Sequence, residues 1–206
     1  EKYVIFDTGA DQKIFENNFR KMGLNVKKTD IVVLSHEHGD HTEGLPFIAR
    51  NTKGIPVLFP YSFSDQFKKE VRASGLEPLL IKDPVRICSG LYSSGEFSGP
   101  IPEQCLVMDT KNGLVVMTGC SHPGIIEMLK EIKAKFGKNI YLVSGGFHLL
   151  EKSEQEMQKI IQEMKSLGVV KCGATHCTGK KQIEMIRDAY GINFVELGVG
   201  NTIVIN

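Results

Sequence analysis

Short apolar runs recur along the chain, each bounded by glycine, proline or polar residues, and this pattern predicts β-strands. The predicted strands cover residues 3–6, 31–34, 57–59, 105–109, 114–118, 140–143, 169–173, 194–197 and 202–205. Between several of these runs, apolar residues return every three or four positions, which predicts amphipathic helices. Strands and helices therefore alternate, and an α/β fold of one domain over residues 1–206 is expected.

The helix boundaries follow from capping residues. The first helix is expected to end before Gly23 and to bury Ile14, Phe15, Phe19 and Met22. A second begins at Ser64 and ends before Gly75, and a third follows Gly124 with Ile125, Leu129, Ile132 and Phe136 on one face. Ser153 and Glu156 form a capping box for a fourth, and residues 181–190 form a fifth. Residues 89–95 are predicted to be a loop, and residues 111–113 a hairpin turn.

Composition narrows the class of protein. The 206 residues are 41% hydrophobic and carry a formal net charge of +1, so no strong basic field for nucleic acid is present. No apolar run approaches the roughly 20 residues of a membrane-spanning helix. Five cysteines at irregular spacing argue against a secreted disulfide framework and for a reducing cytoplasm. A cytoplasmic protein without nucleic-acid or membrane partners is expected.

All six histidines follow predicted strands. Three of them, His36, His38 and His41, follow the strand at 31–34, and His122, His148 and His176 follow the strands at 114–118, 140–143 and 169–173. Loops at one edge of a sheet are where α/β proteins build their sites. Alternate residues of an extended segment point the same way, so His36 and His38 can hold one ion, with Asp40 and His41 after a turn at Gly39. Imidazole and carboxylate suit zinc, manganese or iron.

The segment "HEHGDH" resembles the HxHxDH signature of the metallo-β-lactamase superfamily. The segments "LSHEHGDHTEGL", "GLVVMTGCSHPGI", "SGGFHLL" and "THCTG" resemble, in that order, one branch of it. That branch groups metal-dependent hydrolases with the archaeal dihydropterin ribofuranosyl-aminobenzene phosphate synthase of methanopterin biosynthesis. The resemblance implies a metallo-β-lactamase-like αββα sandwich. Because such folds have further strands ahead of the Asp-Thr-Gly turn, the chain is expected to lack part of the first sheet's N-terminal strands.

The resemblance also implies a set of metal ligands. One ion would be held by His36, His38 and His122, and a second by Asp40, His41 and His176. Where many members carry a bridging aspartate, this chain has Cys120 after Thr118-Gly119. Two interpretations of Cys120 stay open, a thiolate ligand or a small buried thiol beside the site. One or two divalent ions are expected, with zinc favoured and manganese or iron as alternatives.

Further residues have expected roles. Asp40 is a candidate for positioning the ion and the attacking water, and His148 for binding substrate or donating a proton. Asp7 is expected to orient a ligand histidine, or only to form a turn. A second group is predicted to bind substrate: Gly145, Gly146, His148 and Thr178.

The expected function is that of a metal-dependent hydrolase, in which metal-bound hydroxide attacks an ester or phosphoester. The substrate would be a small molecule, phosphorylated in one version of the hypothesis, and a homo-oligomer is left open. Two alternatives remain. One is a transferase that condenses a pterin pyrophosphate with a ribofuranosyl-aminobenzene phosphate, and the other is a non-catalytic metal-binding scaffold.

Overall fold

The chain divides into two units, Glu1–Val85 and Arg86–Asn206, in a computed structural model that describes residues 2–205. Each unit has its own sheet and its own cluster of buried apolar side chains. No helix among the described residues is long and apolar enough to cross a membrane.

The first unit has four parallel strands in the order β1-β2-β3-β4. The strands are β1 Val4–Phe6, β2 Ile31–Val33, β3 Pro56–Pro60 and β4 Glu77–Ile81. Parallel neighbours need crossover connections, and these contain α1 Gln12–Lys21, α2 Gly39–Thr42, α3 Leu45–Asn51 and α4 Asp65–Ala73. The strands predicted at 3–6, 31–34 and 57–59 are confirmed, as are the helices before Gly23 and after Ser64.

The apolar side predicted for α1 is half right. Phe15 and Phe19 pack against Phe47 of α3, with ring centroids 5.9 and 5.7 Å apart. Ile14 and Met22 are 62% and 45% exposed, so their predicted burial is wrong. The cause is α3 itself, because this helix, which the sequence pattern did not predict, meets α1 along the narrow stripe that holds the two phenylalanines.

The second unit has six strands in the order β10-β9-β8-β7-β6-β5. They are β5 Val85–Cys88, β6 Leu91–Ser93, β7 Leu106–Thr110, β8 Gly113–Thr118, β9 Ile140–Gly146 and β10 Lys171–Thr175. Strands β8, β9 and β10 are parallel, whereas β6, β7 and β8 are antiparallel. Three helices follow the parallel strands: α5 Ile125–Phe136, α6 Glu154–Ser166 and α7 Lys180–Tyr190.

Most predicted elements of this unit are confirmed, including the hairpin of β7 and β8 and the Ser153–Glu156 capping box. The loop predicted at 89–95 is wrong in part, because Leu91–Ser93 pairs with β7. The strands predicted at 194–197 and 202–205 are also wrong. Residues 194 and 195 lie beside β10, where Phe194 bridges to Cys172 and Val195 N donates to the Cys172 carbonyl at 2.9 Å. This pairing does not continue into a ladder, and the next residue, Glu196, pairs with the Arg187 side chain.

Candidate metal centre

The end of β2 brings two imidazoles together in the first unit. His36 Nε2 and His38 Nδ1 lie 3.1 Å apart. Between them, the Glu37 carboxylate turns to Ser64 at the start of α4 and accepts hydrogen bonds from its backbone N–H and its hydroxyl. The predicted alternation is therefore confirmed, since the two histidines share one direction and Glu37 takes another.

Asp7 and Ser35 fix the orientation of two rings. The Asp7 carboxylate accepts hydrogen bonds from Ser35 N at 2.7 Å, Ser35 Oγ at 2.8 Å and His41 Nδ1 at 2.7 Å. Because the Ser35 hydroxyl proton points at Asp7, Ser35 Oγ accepts from His36 Nδ1 at 2.9 Å. His36 and His41 then both carry their proton on Nδ1 and direct the Nε2 lone pair elsewhere, as metal-binding histidines do. The predicted orienting contact of Asp7 is confirmed, while Ser35 was missed by the sequence reasoning.

A one-turn helix, α2, carries Asp40 and His41 instead of a simple turn. Asp40 Oδ2 lies 3.5 Å from His41 Nε2. The turn of Thr8 holds this helix, because Thr8 N and Oγ1 donate to the His41 carbonyl at 2.8 and 3.1 Å. Gly44 is required there, since a Cβ at this position would lie 2.1 Å from the Thr8 carbonyl oxygen.

The geometry of the first unit fits a divalent metal. Two nitrogens bound to one tetrahedral zinc at about 2.0 Å lie roughly 3.3 Å apart, close to the separation of His36 Nε2 and His38 Nδ1. His36 Nδ1 is held by the Ser35 hydroxyl oxygen, and His41 Nδ1 is held by the Asp7 carboxylate. Both features are those of a histidine site prepared for a metal.

In the second unit, a buried carboxylate holds the loop after β8. Glu103 is fully buried, and its Oε1 accepts hydrogen bonds from Cys120 N and Ser121 N, both at 2.9 Å. Its Oε2 accepts from His122 N, also at 2.9 Å. Three consecutive backbone N–H groups therefore point at one side chain. Sequence reasoning missed Glu103, because its partners are 17 to 19 residues away and only the fold brings them together.

Two cysteines and a histidine meet at the ends of β8 and β10. The ligand atoms of Cys120, His176 and Cys177 all lie within 4.8 Å of one another. The Cys177 thiol donates to the Cys120 carbonyl oxygen at 3.6 Å. Hydrogen bonding to the Cys120 side chain and to His148, with the nearby charge of His176, lowers the pKa of the Cys177 thiol to about 5 against the opposing effect of burial.

His122 and His148 form a second contact in this unit, with ring centroids 4.4 Å apart. A cavity of about 270 Å³ lies beside them, with a largely apolar wall. The wall includes Ile125, Ile126, Phe147, Leu149 and Ile160, and Lys152 also lines the cavity. The loop histidines thus border space for a small molecule.

Packing explains the glycines predicted to bind substrate. A Cβ at Gly145 would lie 2.2 Å from the Thr118 carbonyl oxygen, and one at Gly146 would lie 2.4 Å from that of Gly119. The buried Thr178 hydroxyl accepts from Phe147 N at 3.0 Å and donates to the Thr175 carbonyl at 2.7 Å. These contacts explain why glycine stands at positions 145 and 146 and threonine at position 178. The role of the three residues in substrate binding stays a prediction.

Comparison with known proteins agrees with this fold. The family described as the beta-lactamase superfamily domain matches residues 2–87. The chain is 26% identical to a solved structure described as a metal-dependent hydrolase of the beta-lactamase superfamily, with a TM-score of 0.82 over 98% of this chain and 88% of that one. The metallo-beta-lactamase fold protein YhfI from Bacillus subtilis, 15% identical, has a TM-score of 0.68 over 97% of this chain and 86% of its own, which supports the fold alone.

A relative of known activity is also similar. The chain is 29% identical over 248 residues to the 7,8-dihydropterin-6-methyl-4-(beta-D-ribofuranosyl)-aminobenzene-5'-phosphate synthase of Methanocaldococcus jannaschii, covering 98% of this chain and 84% of the synthase. The two sheets, their helices and the solved relatives define a protein of the metallo-β-lactamase fold. The family match covers residues 2–87 with the histidine motif, and the synthase and the solved hydrolase extend the similarity over 98% of the chain. The predicted fold class is confirmed, and these similarities agree with the predicted family.

Proposed function

We propose that this protein is a metal-dependent hydrolase that acts on an ester or phosphoester of a small molecule. The observation that carries the proposal is the convergence of His36 Nε2 and His38 Nδ1 at 3.1 Å, beside a His41 ring oriented by Asp7. The pairing of two imidazoles, with His36 Nδ1 held by Ser35 and His41 Nδ1 held by Asp7, favours a metal over a simple polar loop.

The proposed ligands come from both units. The first unit supplies His36, His38, Asp40 and His41, and the second supplies Cys120, His122 and His176. That both groups of residues bind the same one or two ions rests on the sequence resemblance. Zinc is the first candidate for these ions, and manganese and iron are the alternatives. When bound, such an ion lowers the pKa of water to roughly 7 and polarises a carbonyl or phosphoryl oxygen.

The protein's own groups divide the remaining work. Asp40, next to His41 on α2, is assigned to holding the metal and orienting the attacking water. His148 borders the cavity beside His122, where it would bind the substrate or protonate the leaving group. A small substrate, phosphorylated in one form of the proposal, suits this cavity.

A transferase is the second candidate, and the similarity to the Methanocaldococcus jannaschii synthase favours it. In that version, the same site would ionise a pyrophosphate from a pterin and join the pterin to a ribofuranosyl-aminobenzene phosphate. Hydrolase and transferase need the same metal ligands but differ in the acceptor, which is water in one and the amine nitrogen of the aminobenzene in the other.

The test begins with elemental analysis of protein purified without chelator, followed by assays on aryl phosphodiesters, aryl esters and lactones with and without added zinc or manganese. The His38→Ala variant is expected to lose metal and turnover. Glu37→Gln is the matched control, because Glu37 lies in the same loop but contacts Ser64. Metal-dependent turnover that His38→Ala abolishes supports a hydrolase.

Other outcomes separate the alternatives. Metal without hydrolysis, but with product from the pterin and aminobenzene substrates, favours the transferase. Bound metal without either activity favours a scaffold. No bound metal after zinc and manganese are added back overturns the metal-dependent proposals altogether.

A further inference from the structure

The second unit contains a sulfur-rich cluster that the ligand set from the resemblance uses only in part. Cys120 and His176 belong to that set, but Cys177 does not. The three ligand atoms nevertheless lie within 4.8 Å of one another, and Cys177 donates to the Cys120 backbone. The remaining cysteines, Cys88, Cys105 and Cys172, are absent from every such cluster among the described residues.

The backbone is shaped to bring these sulfurs together. Cys120 follows β8 and Cys177 follows β10, and the end of β9 runs between these two strands. At Gly146 of β9, a Cβ would lie 2.8 Å from the Cys177 sulfur and 3.3 Å from the Cys120 Cα. Any other residue at Gly146 would therefore clash with the Cys177 sulfur and crowd the Cys120 backbone. His176 also adopts a left-handed φ of 55°, which L-residues rarely adopt without a reason.

The distances suit one ion. Two sulfurs and one nitrogen bound to tetrahedral zinc, with Zn–S near 2.3 Å and Zn–N near 2.0 Å, lie roughly 3.5–3.8 Å apart. Atoms already within 4.8 Å reach this spacing by small side-chain rotations. Two thiolates and an imidazole select thiophilic ions such as zinc, cobalt(II) or cadmium over manganese and magnesium, which prefer oxygen.

We propose that Cys177 is a metal ligand that, with Cys120 and His176, forms a two-sulfur, one-nitrogen site in the second unit. This inference deepens the proposed function, because it shares two ligands with the proposed metal centre. Cys177 supplies a second sulfur beside Cys120, which stands where many members of the superfamily carry a bridging aspartate. The consequence is metal selectivity, since a thiophilic ion is held at this position and manganese is not.

The test uses the full chain in reducing agent, loaded with cobalt(II). Thiolate-to-cobalt charge transfer gives a near-ultraviolet band whose intensity counts the sulfur ligands. Wild-type protein is expected to give the intensity of two thiolates, and Cys177→Ser that of one. Zinc affinity of Cys177→Ser is expected to fall by at least about tenfold. Cys88→Ser is the matched control and keeps the full band, because Cys88 lies outside the cluster.

A second measurement needs no variant. Zinc is expected to slow alkylation of Cys177 in the wild-type protein at least about tenfold, by occupying its sulfur, and to leave Cys88 unchanged. A Cys177→Ser band equal to wild type, or alkylation of Cys177 that ignores zinc, overturns the inference while the remaining metal centre stands. If neither metal binds the wild type, both this inference and the proposed function fail.

Discussion

Replacing Glu103 by glutamine tests whether one buried carboxylate holds the loop of Cys120, Ser121 and His122. Glutamine has the same length but only one acceptor oxygen. If that oxygen faces Cys120 N and Ser121 N, the new NH₂ group faces His122 N–H, donor against donor. The opposite flip leaves two N–H groups facing the NH₂ group. Rotation cannot avoid the conflict readily, because the Glu103 backbone is paired with Phe97 by hydrogen bonds of 2.8 and 3.2 Å.

The magnitude follows from the three contacts. A hydrogen bond to a charged acceptor contributes about 1.5–3 kcal/mol, and at least one is lost. The two that remain go from a charged to a neutral acceptor, which weakens each by about 1 kcal/mol. The free energy of unfolding is therefore expected to fall by about 4 kcal/mol, in the range for a broken buried charged contact. Against a total of about 5–15 kcal/mol, the variant still folds.

Urea unfolding followed by circular dichroism measures this change. With a urea dependence of about 2–3 kcal/mol per M, the midpoint of Glu103→Gln is expected to fall by about 1.5 M. Glu131→Gln is the control, because Glu131 is an exposed carboxylate on α5 that forms a surface ion pair with Lys135. A Glu103→Gln midpoint equal to those of wild type and Glu131→Gln would refute the reasoning.

Three further predictions use other contacts. Asp7→Asn removes a carboxylate oxygen that accepts hydrogen bonds from Ser35 and His41, so the zinc affinity is expected to fall about 10- to 100-fold. Calorimetric titration measures this affinity, and an unchanged value contradicts the orienting role of Asp7. The Tyr190 hydroxyl is buried without a hydrogen-bond partner among the described residues, so Tyr190→Phe is expected to leave the free energy of unfolding unchanged or raise it by up to about 1 kcal/mol; a clear loss of stability contradicts this. Burial raises the pKa of the Cys105 and Cys172 thiols from 9.0 to about 12. Above pH 9 the unfolded chain therefore loses these protons before the folded chain does, and the free energy of unfolding falls as the pH rises toward 12. Urea midpoints at about pH 8 and pH 10 check the sign, and a Cys172→Ala variant with the same pH dependence as wild type argues against the Cys172 contribution.

Local patterns predicted the parts of the fold and site that depend on neighbouring residues. The alternation of His36 and His38 is a property of extended backbone, so the three residues from His36 to His38 were enough to predict that the two rings converge. The capping box at Ser153 is equally local. The segment at 194–197 misled the prediction because alternation shows only that a strand is compatible with the residues, whereas a ladder needs continued pairing with a partner strand, and this segment pairs with β10 only at Cys172.

Contacts between distant residues were out of reach. Glu103 stands in a Pro-Glu-Gln segment with no helical or strand periodicity, and nothing near it indicates that its carboxylate would meet three N–H groups. Helix α3 was missed for a different reason, because Gly44 and Pro46 suggest a loop. In the structure, Pro46 lies in the first turn, where its missing N–H is harmless, and Gly44 is needed for contact with Thr8.

Backbone strain links the fold to the candidate site. Among the described residues, positive φ outside glycine occurs at Asp7, Ser121, His148 and His176, with values of 57°, 63°, 50° and 55°. Each conformation costs of order 1 kcal/mol or more, which glycine would avoid. All four residues follow strands and belong to, or adjoin, the groups of the proposed function: Asp7 orients His41, Ser121 lies between Cys120 and His122, His176 is a proposed metal ligand, and His148 is the residue proposed to bind substrate or donate a proton. A chain that needed only these turns would be more stable with glycine, so the side chains that replace glycine here have a use beyond the turn. This argues for a working site over a bare scaffold.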